Sequence, residues 1–296
     1  MALYNNITVK AYGKINLLLD IPGLRNDGYH QLNTVMQSVS CFDLLRISLT
    51  TMGSGIEIIC DKEDFPCNEN NLIWKACIAF KEYTKIDFGG KLTIKVKKNL
   101  PSQAGMAGGS ADCAATLHAL NKMYAANLDE EELCEIGVKL GADVPFCITG
   151  GTRLCQGIGE ITHKLPSPKC CFIIVKPNVS ISTPEAFKKF DLLTNPPRAN
   201  LDMFLRSLAT NNIYSQCLHM FNVLELATNF EEIKLAKEEL MNIGAINALM
   251  TGSGSAVFGV FNDLEFAKSS LNKLSDYAYK VVCEPVKSGW ELMEVY

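Results

Sequence analysis

The chain has 296 residues, 48% hydrophobic and 20% charged, with 21 Gly and 11 Pro. This composition excludes extensive disorder and collagen-like repeats, and the length fits one large or two medium domains, of which we expect two. Its 28 Lys and Arg against 32 Asp and Glu leave a formal charge of −4 with no long run of one sign, which argues against a nucleic-acid coat but allows a local basic pocket.

In chain order, Val9, Ile15, Leu17 and Leu19 have the alternation of a half-buried strand interrupted at Gly13. The apolar run Ile15 to Ile21 is cut by Asn16 and Asp20, too short and too polar for a signal peptide or a spanning helix, so a cytoplasmic protein without membrane contact is expected. Asn71 to Thr84 carries apolar residues at helical spacing, Lys91 to Lys97 alternates as a strand, and Asp112 to Tyr124 is again helical. Asp129 and Glu132 have the spacing of a capping box opening a helix that Gly141 closes. A strand at Cys170 to Val175 and a short helix with Thr183 as N-cap and Pro184 as first residue begin the second half. Ile233, Ala236, Leu240 and Ile243 mark one face of a long helix ending near Gly244, and strands at Ala256 to Phe261 and Lys280 to Val286 flank a helix at Leu264 to Leu274. This is an α+β chain, divided near residues 155–165 into units 1–160 and 161–296. The 12 cysteines form no C-x-x-C pair and are expected as reduced thiols, and His30, His118, His163 and His219 are too scattered for a zinc site.

Five segments carry polar chemistry. Asn99-Leu100-Pro101-Ser102-Gln103-Ala104-Gly105-Met106-Ala107-Gly108-Gly109-Ser110-Ala111-Asp112 lies between a strand and a helix, where small residues let free N–H groups and the positive helix end face an anion. It is neither a Walker A loop nor a G-x-G-x-x-G turn, and read alone it fits a flexible connector equally well. Lys14 and Asn16 stand in an apolar strand where they need partners, unless Lys14 reaches solvent from an edge. Asp143, in Gly141-Ala142-Asp143-Val144-Pro145-Phe146, is either an available carboxylate or an N-cap. Asn26-Asp27-Gly28-Tyr29-His30 is a turn ending in two groups able to hold a flat ring, and Met250-Thr251-Gly252-Ser253-Gly254-Ser255 is a second small-residue loop.

In this order and spacing, the five segments resemble the GHMP kinase superfamily, which includes galactokinase, homoserine kinase and mevalonate kinase. Lys14-Ile15-Asn16-Leu17, Arg25-x-Asp27-Gly28-Tyr29-His30, Leu140 to Phe146 and Gly157-x-Gly159-Glu160 are most similar to its branch acting on a cytidine diphosphate-linked methylerythritol. The resemblance runs from about Val9 to Phe261 and is weakest between Lys189 and Phe230.

It implies a two-domain fold, an N-terminal ribosomal protein S5 domain 2-like unit and a C-terminal ferredoxin-like layer, and an ATP-dependent, Mg²⁺-requiring kinase of a small-molecule alcohol. It further implies that Pro101, Ser102, Gln103, Ala104, Gly105, Met106, Ala107, Gly108, Gly109, Ser110 and Ala111 wrap the triphosphate. Asp143 would be the general base and Lys14 the neighbouring charge. Tyr29 and His30 would recognise the cytosine, with Phe187 stacking from the other face and Thr183 in the same stretch. Asn16 would touch the erythritol end near Gly252 and Ser253. Homoserine-type or mevalonate-type kinases and a noncatalytic nucleotide sensor are the alternatives. Met106, Ala107 and Ala111 depart from the family pattern, and a positive φ at Ala107 would cost about 1 kcal/mol. With Ala111 lacking a hydroxyl, no metal ligand is assigned, and oligomeric state is not legible.

Overall fold

The structure, a computed structural model, describes residues 2–296. In chain order its elements are β1 (Asn6–Leu24), β2 (His30–Thr50), β3 (Gly55–Cys60), α1 (Leu72–Thr84), β4 (Lys91–Lys97), α2 (Gly108–Met123), α3 (Glu130–Val138), α4 (Val144–Thr149), β5 (Thr152–Gly157) and β6 (Ile161–Lys164). There follow β7 (Cys171–Lys176), α5 (Thr183–Phe190), α6 (Leu201–Thr210), α7 (Ile213–His219), β8 (Phe221–Asn222), α8 (Leu224–Thr228), α9 (Glu231–Asn242), β9 (Asn247–Met250), β10 (Val257–Phe261), α10 (Leu264–Ser270), β11 (Tyr279–Cys283) and β12 (Trp290–Val295).

Two sheets organise the chain. The first has the order β12-β1-β2-β4-β3; the opening half of β2 pairs instead with β5, which carries β6, and β8 adds to the far end of β1. The second is a four-stranded antiparallel sheet of order β11-β7-β10-β9, and together they make the mixed α+β architecture expected. The first sheet takes strands from beyond residue 160, namely β6, β8 and the returning β12.

Helices α1 and α2 pack on the first sheet over one core containing Phe80, Leu92, Ile94, Leu117 and Leu120. A second core, with Ile15, Leu17, Val35, Leu100 and Phe258, lies between the two sheets, and a third, with Ile173, Ala236, Leu240 and Phe261, lies under α9. Burying β1 on both faces after Gly13 is what carries Lys14 and Asn16 into the interior.

Gly13 does not break β1. It sits at a register shift between Tyr12 and Lys14, and a Cβ there would lie 2.9 Å from the Leu100 side chain, so any larger residue would have to displace that leucine of the loop crossing over the strand. The capping box is present in both directions, Glu132 N–H to Asp129 and Asp129 N–H to Glu132, each at 2.9 Å. Other boundaries differ by a few residues. Helix α2 starts at Gly108 rather than Asp112, Ser182 rather than Thr183 is the N-cap of α5, and β11 stops at Cys283, ahead of Pro285. All 12 cysteines are free thiols, as expected.

Candidate active site

A cavity of about 890 Å³ opens between the two sheets. Pro101 through Ser110 line it together with Lys14, Asn16 and Asp143 and with Tyr29, His30, Thr183, Phe187, Gly252 and Ser253, Gly252 lying against Gly105 and the Lys14 ammonium. Ala111 is the exception in the loop: it is fully buried, and its N–H is spent on the Ala107 carbonyl, so it offers a ligand neither surface nor donor.

The loop's carbonyls are tied down on the side away from the cavity. Ser255 N–H donates to Gln103 O, Ala256 N–H to Ala104 O and Lys14 N–H to Met106 O, and the Thr251 hydroxyl shares its one hydrogen between Gly105 O and Asn16 Oδ1. Among the described residues, no backbone N–H from Ser102 to Ser110 donates to another protein group. With α2 contributing its positive end, the loop has unpaired donors that suit an anion. Its path takes left-handed backbone at Gln103 (φ 50°), Gly105 (φ 71°) and Ala107 (φ 56°).

Lys14 is 4% exposed, and its ammonium donates to Asn16 Oδ1 at 2.8 Å and lies 3.8 Å from Asp143 Oδ2. Asn16 is anchored in turn: its amide donates to the Thr34 hydroxyl at 2.8 Å, its Oδ1 accepts from Thr251 Oγ1 at 3.2 Å, and its N–H donates to that same oxygen at 3.0 Å. Asn16 is therefore chiefly a mount for Lys14, with one amide hydrogen left toward the cavity. Asp143 occupies the N-cap position of α4, yet its side chain makes no capping bond, so the carboxylate is available.

The His30 ring bonds Asp191 Oδ1 through Nε2 at 2.7 Å. Phe187 lies against His30 itself, ring centroids 4.8 Å apart and tilted by 37°, rather than facing it across a gap. Sharing helix α5 with the ring-bearing end of the site, Thr183 bonds the Ser253 hydroxyl at 2.8 Å, tying that helix to the 252–254 loop.

Phe65, Pro66, Asn70, Asn71, Leu72 and Lys98 also line the cavity, and none of them is among the site residues expected from the sequence. Asn71 carried a usable signal, since its side chain accepts from Ile73 N–H as the N-cap of α1. Phe65 and Pro66 lie outside any helix or strand and carried none. The described residues contain no group of three or more His, Cys, Asp or Glu side chains able to hold a metal, and no helix long and apolar enough to cross a membrane.

Residues 71–151 match the family described as GHMP kinases N terminal domain, and residues 202–280 match GHMP kinases C terminal. A 4-diphosphocytidyl-2-C-methyl-D-erythritol kinase of Thermoanaerobacter pseudethanolicus is 39% identical over 291 residues, covering 97% of this chain and 99% of the relative. A crystal structure of 4-(cytidine 5′-diphospho)-2C-methyl-D-erythritol kinase superposes with a TM-score of 0.79 at 28% identity, over 93% of this chain and 98% of that one. Homoserine kinase from Cytophaga hutchinsonii shares the fold at a TM-score of 0.78 with 18% identity, over 99% of both chains. The cradle, the Lys14–Asp143 pair and these similarities converge: the chain belongs to the GHMP kinase family, among the relatives of the 4-diphosphocytidyl-2-C-methyl-D-erythritol kinases.

Proposed function

We propose that this kinase transfers the γ-phosphoryl group of ATP to the C2 hydroxyl of 4-diphosphocytidyl-2-C-methyl-D-erythritol, a step of the non-mevalonate route to isoprenoid precursors. The observation that carries the reading is one continuous cavity lined by an anion cradle, by Lys14 and Asp143 and by a cluster of rings.

Phosphoryl transfer asks for positioning and charge neutralisation more than covalent help. The N–H groups of 102–110 receive the triphosphate. Asp143 takes the proton of the attacking hydroxyl, and Lys14, held by Asn16, faces the transferring group and the carboxylate at once. Thr183, Gly252 and Ser253 border the erythritol portion, and Tyr29, His30 and Phe187 receive the base. Mg²⁺ supplies charge neutralisation on the phosphate oxygens. One carboxylate, Asp143, and the loop hydroxyls of Ser102 and Ser110 line that part of the cavity, a donor set that suits a cation held mainly by its nucleotide.

The test is ATP consumption by the purified protein with Mg²⁺, offering the cytidine compound, homoserine, mevalonate and methylerythritol phosphate without cytidine. Turnover with the cytidine compound alone is the expected result. Turnover with a small alcohol instead would keep the Asp143 and Lys14 chemistry and overturn the substrate.

A further inference from the structure

Beneath the phosphate loop lies a buried charge cluster that the reaction as described leaves unused. Asp43 on β2 is fully buried, and its Oδ1 accepts the N–H groups of Asn99 at 2.6 Å and Leu100 at 2.8 Å, where the chain leaves β4. Its Oδ2 accepts from Lys98 Nζ at 2.5 Å. The same ammonium donates to Asp112 Oδ2 at 2.7 Å, in the second turn of α2, where the chain has just come back from the loop. Two carboxyl groups and one ammonium thus join residues 98–100 to residue 112, closing the neck of the loop, where Lys98 N–H also donates to Asp61 Oδ1 and the Asn99 amide to Phe42 O. Helix α2 begins with glycine at this crossing, and a Cβ on Gly108 would lie 3.1 Å from Lys98 Nζ.

Stability alone does not account for such a cluster. Apolar side chains of similar size in place of a buried ion pair are often neutral or stabilising, because the charges lose their hydration on folding. Here the imbalance is plain: Asp112 is 1% exposed, and its Oδ1 has no partner among the described residues. Burial, reinforced by the Asp43 charge, pushes the Asp112 carboxyl well above the ordinary range even with Lys98 against it. An ammonium and two carboxyl groups do provide directional bonds, which an apolar contact does not. They act on a segment with a specific need for them, since its left-handed residues at 103, 105 and 107 hold their shape only while both ends are fixed.

We infer that Asp43, Lys98 and Asp112 are positioning residues for ATP: they clamp the neck of the phosphate loop and so set the spacing of the N–H groups that receive the triphosphate. This rests on the reading of the loop as the triphosphate site.

The test compares Asp112→Ala with Asp112→Asn, measuring the Kd of the non-hydrolysable analogue AMP-PNP with Mg²⁺ by calorimetry, and KM for ATP and for the phosphoryl acceptor separately. In Asp112→Ala, Lys98 keeps Asp43 as its counter-ion, so the fold survives while the neck opens. AMP-PNP is expected to bind about 10-fold or more weakly, with KM for the acceptor nearly unchanged. Asp112→Asn keeps an oxygen for Lys98 to donate to and is expected to recover most of that affinity. Asp43→Asn, Lys98→Met and Asp112→Leu together remove the charges without stranding one, while the amide introduced at position 43 keeps an oxygen for the N–H groups of residues 99 and 100, and this triple variant should retain its Tm while losing nucleotide affinity like Asp112→Ala. Equal AMP-PNP affinity in wild type, Asp112→Ala and the triple variant would overturn the proposal. Wild-type protein that ignores AMP-PNP would overturn the loop reading itself, and this one with it.

Discussion

Lys14 Nζ and Asp143 Oδ2 stand 3.8 Å apart although they come from very different surroundings, the lysine side chain being 4% exposed and the carboxylate 36%. The lysine is immobilised from behind by Asn16, while the aspartate is free of the capping bond its position would allow. A fixed cation beside an uncommitted carboxylate suits a base that must accept a proton from a hydroxyl held between the cradle and the pair. Asp143→Asn preserves shape and removes the acceptor, so kcat should fall by about 10² to 10⁴ with KM for ATP little changed. Single-turnover kinetics with saturating ATP provides the measurement, and near-normal turnover would remove Asp143 from that role.

The loop supplies a contrasting pair of substitutions. Ala107 holds φ at 56°, where a Cβ is strained, so Ala107→Gly should stabilise the fold by about 0.5 to 1 kcal/mol and leave ATP binding intact. At Gly105 the added Cβ would overlap the Thr251 carbonyl, which is backbone and has little room to yield. Gly105→Ala should therefore lift the loop off the 251–254 segment and abolish nucleotide binding. Denaturant unfolding with and without AMP-PNP separates the two outcomes.

What was legible in the sequence follows a physical line. The α2 and β4 periodicities, the Asp129–Glu132 box and the Gly-rich loop are local signals, and each appears within a few residues of its expected place. The 21-residue β2 has no single alternation to read, because its first half pairs with β5 and its second with β4, and the buried face changes along it. Asp43 and Asp112 look in sequence like any surface aspartate. Their importance comes from burial beside Lys98, a contact spanning 55 residues on one side and 14 on the other, which spacing does not encode. Phe187 could be named from the resemblance, but its packing against His30 could not, since 157 residues separate the two and only the tertiary fold brings helix α5 to the start of β2.

That packing makes a separable prediction for substrate affinity. Phe187 supports the His30 imidazole on one face, while Asp191 holds Nε2. If this end receives a base, Phe187→Ala removes a stacking surface worth about 1 to 3 kcal/mol and should raise KM for the cytidine substrate by about 5-fold to 100-fold, with KM for ATP unchanged. Steady-state kinetics varying each substrate in turn reads both constants. Equal rises in the two would mean that helix α5 had shifted rather than that a base contact was lost.

A last prediction concerns stability and pH. His118, on α2, stacks on Trp290 of β12 with ring centroids 4.1 Å apart and planes 18° from parallel, and its Nε2 lies 3.2 Å from the Ile148 carbonyl. That carbonyl requires a donor, so the neutral ring carries its proton on Nε2. Burial lowers its pKa from 6.5 to about 4, the bond to Ile148 offsetting only part of the effect. Above pH 6.5 the ring is neutral in both folded and unfolded chains and contributes no pH dependence. Between 6.5 and about 4 the unfolded chain binds a proton that the folded one does not, so stability declines as the pH falls and levels off below about 4. At 1.36 kcal/mol per unit the full decline is about 3 kcal/mol. His118→Gln keeps an amide hydrogen for Ile148 and does not titrate. Urea unfolding from pH 7 to 4 should then show wild type losing about 3 kcal/mol more than the variant, and parallel curves would mean that His118 is charged within the fold.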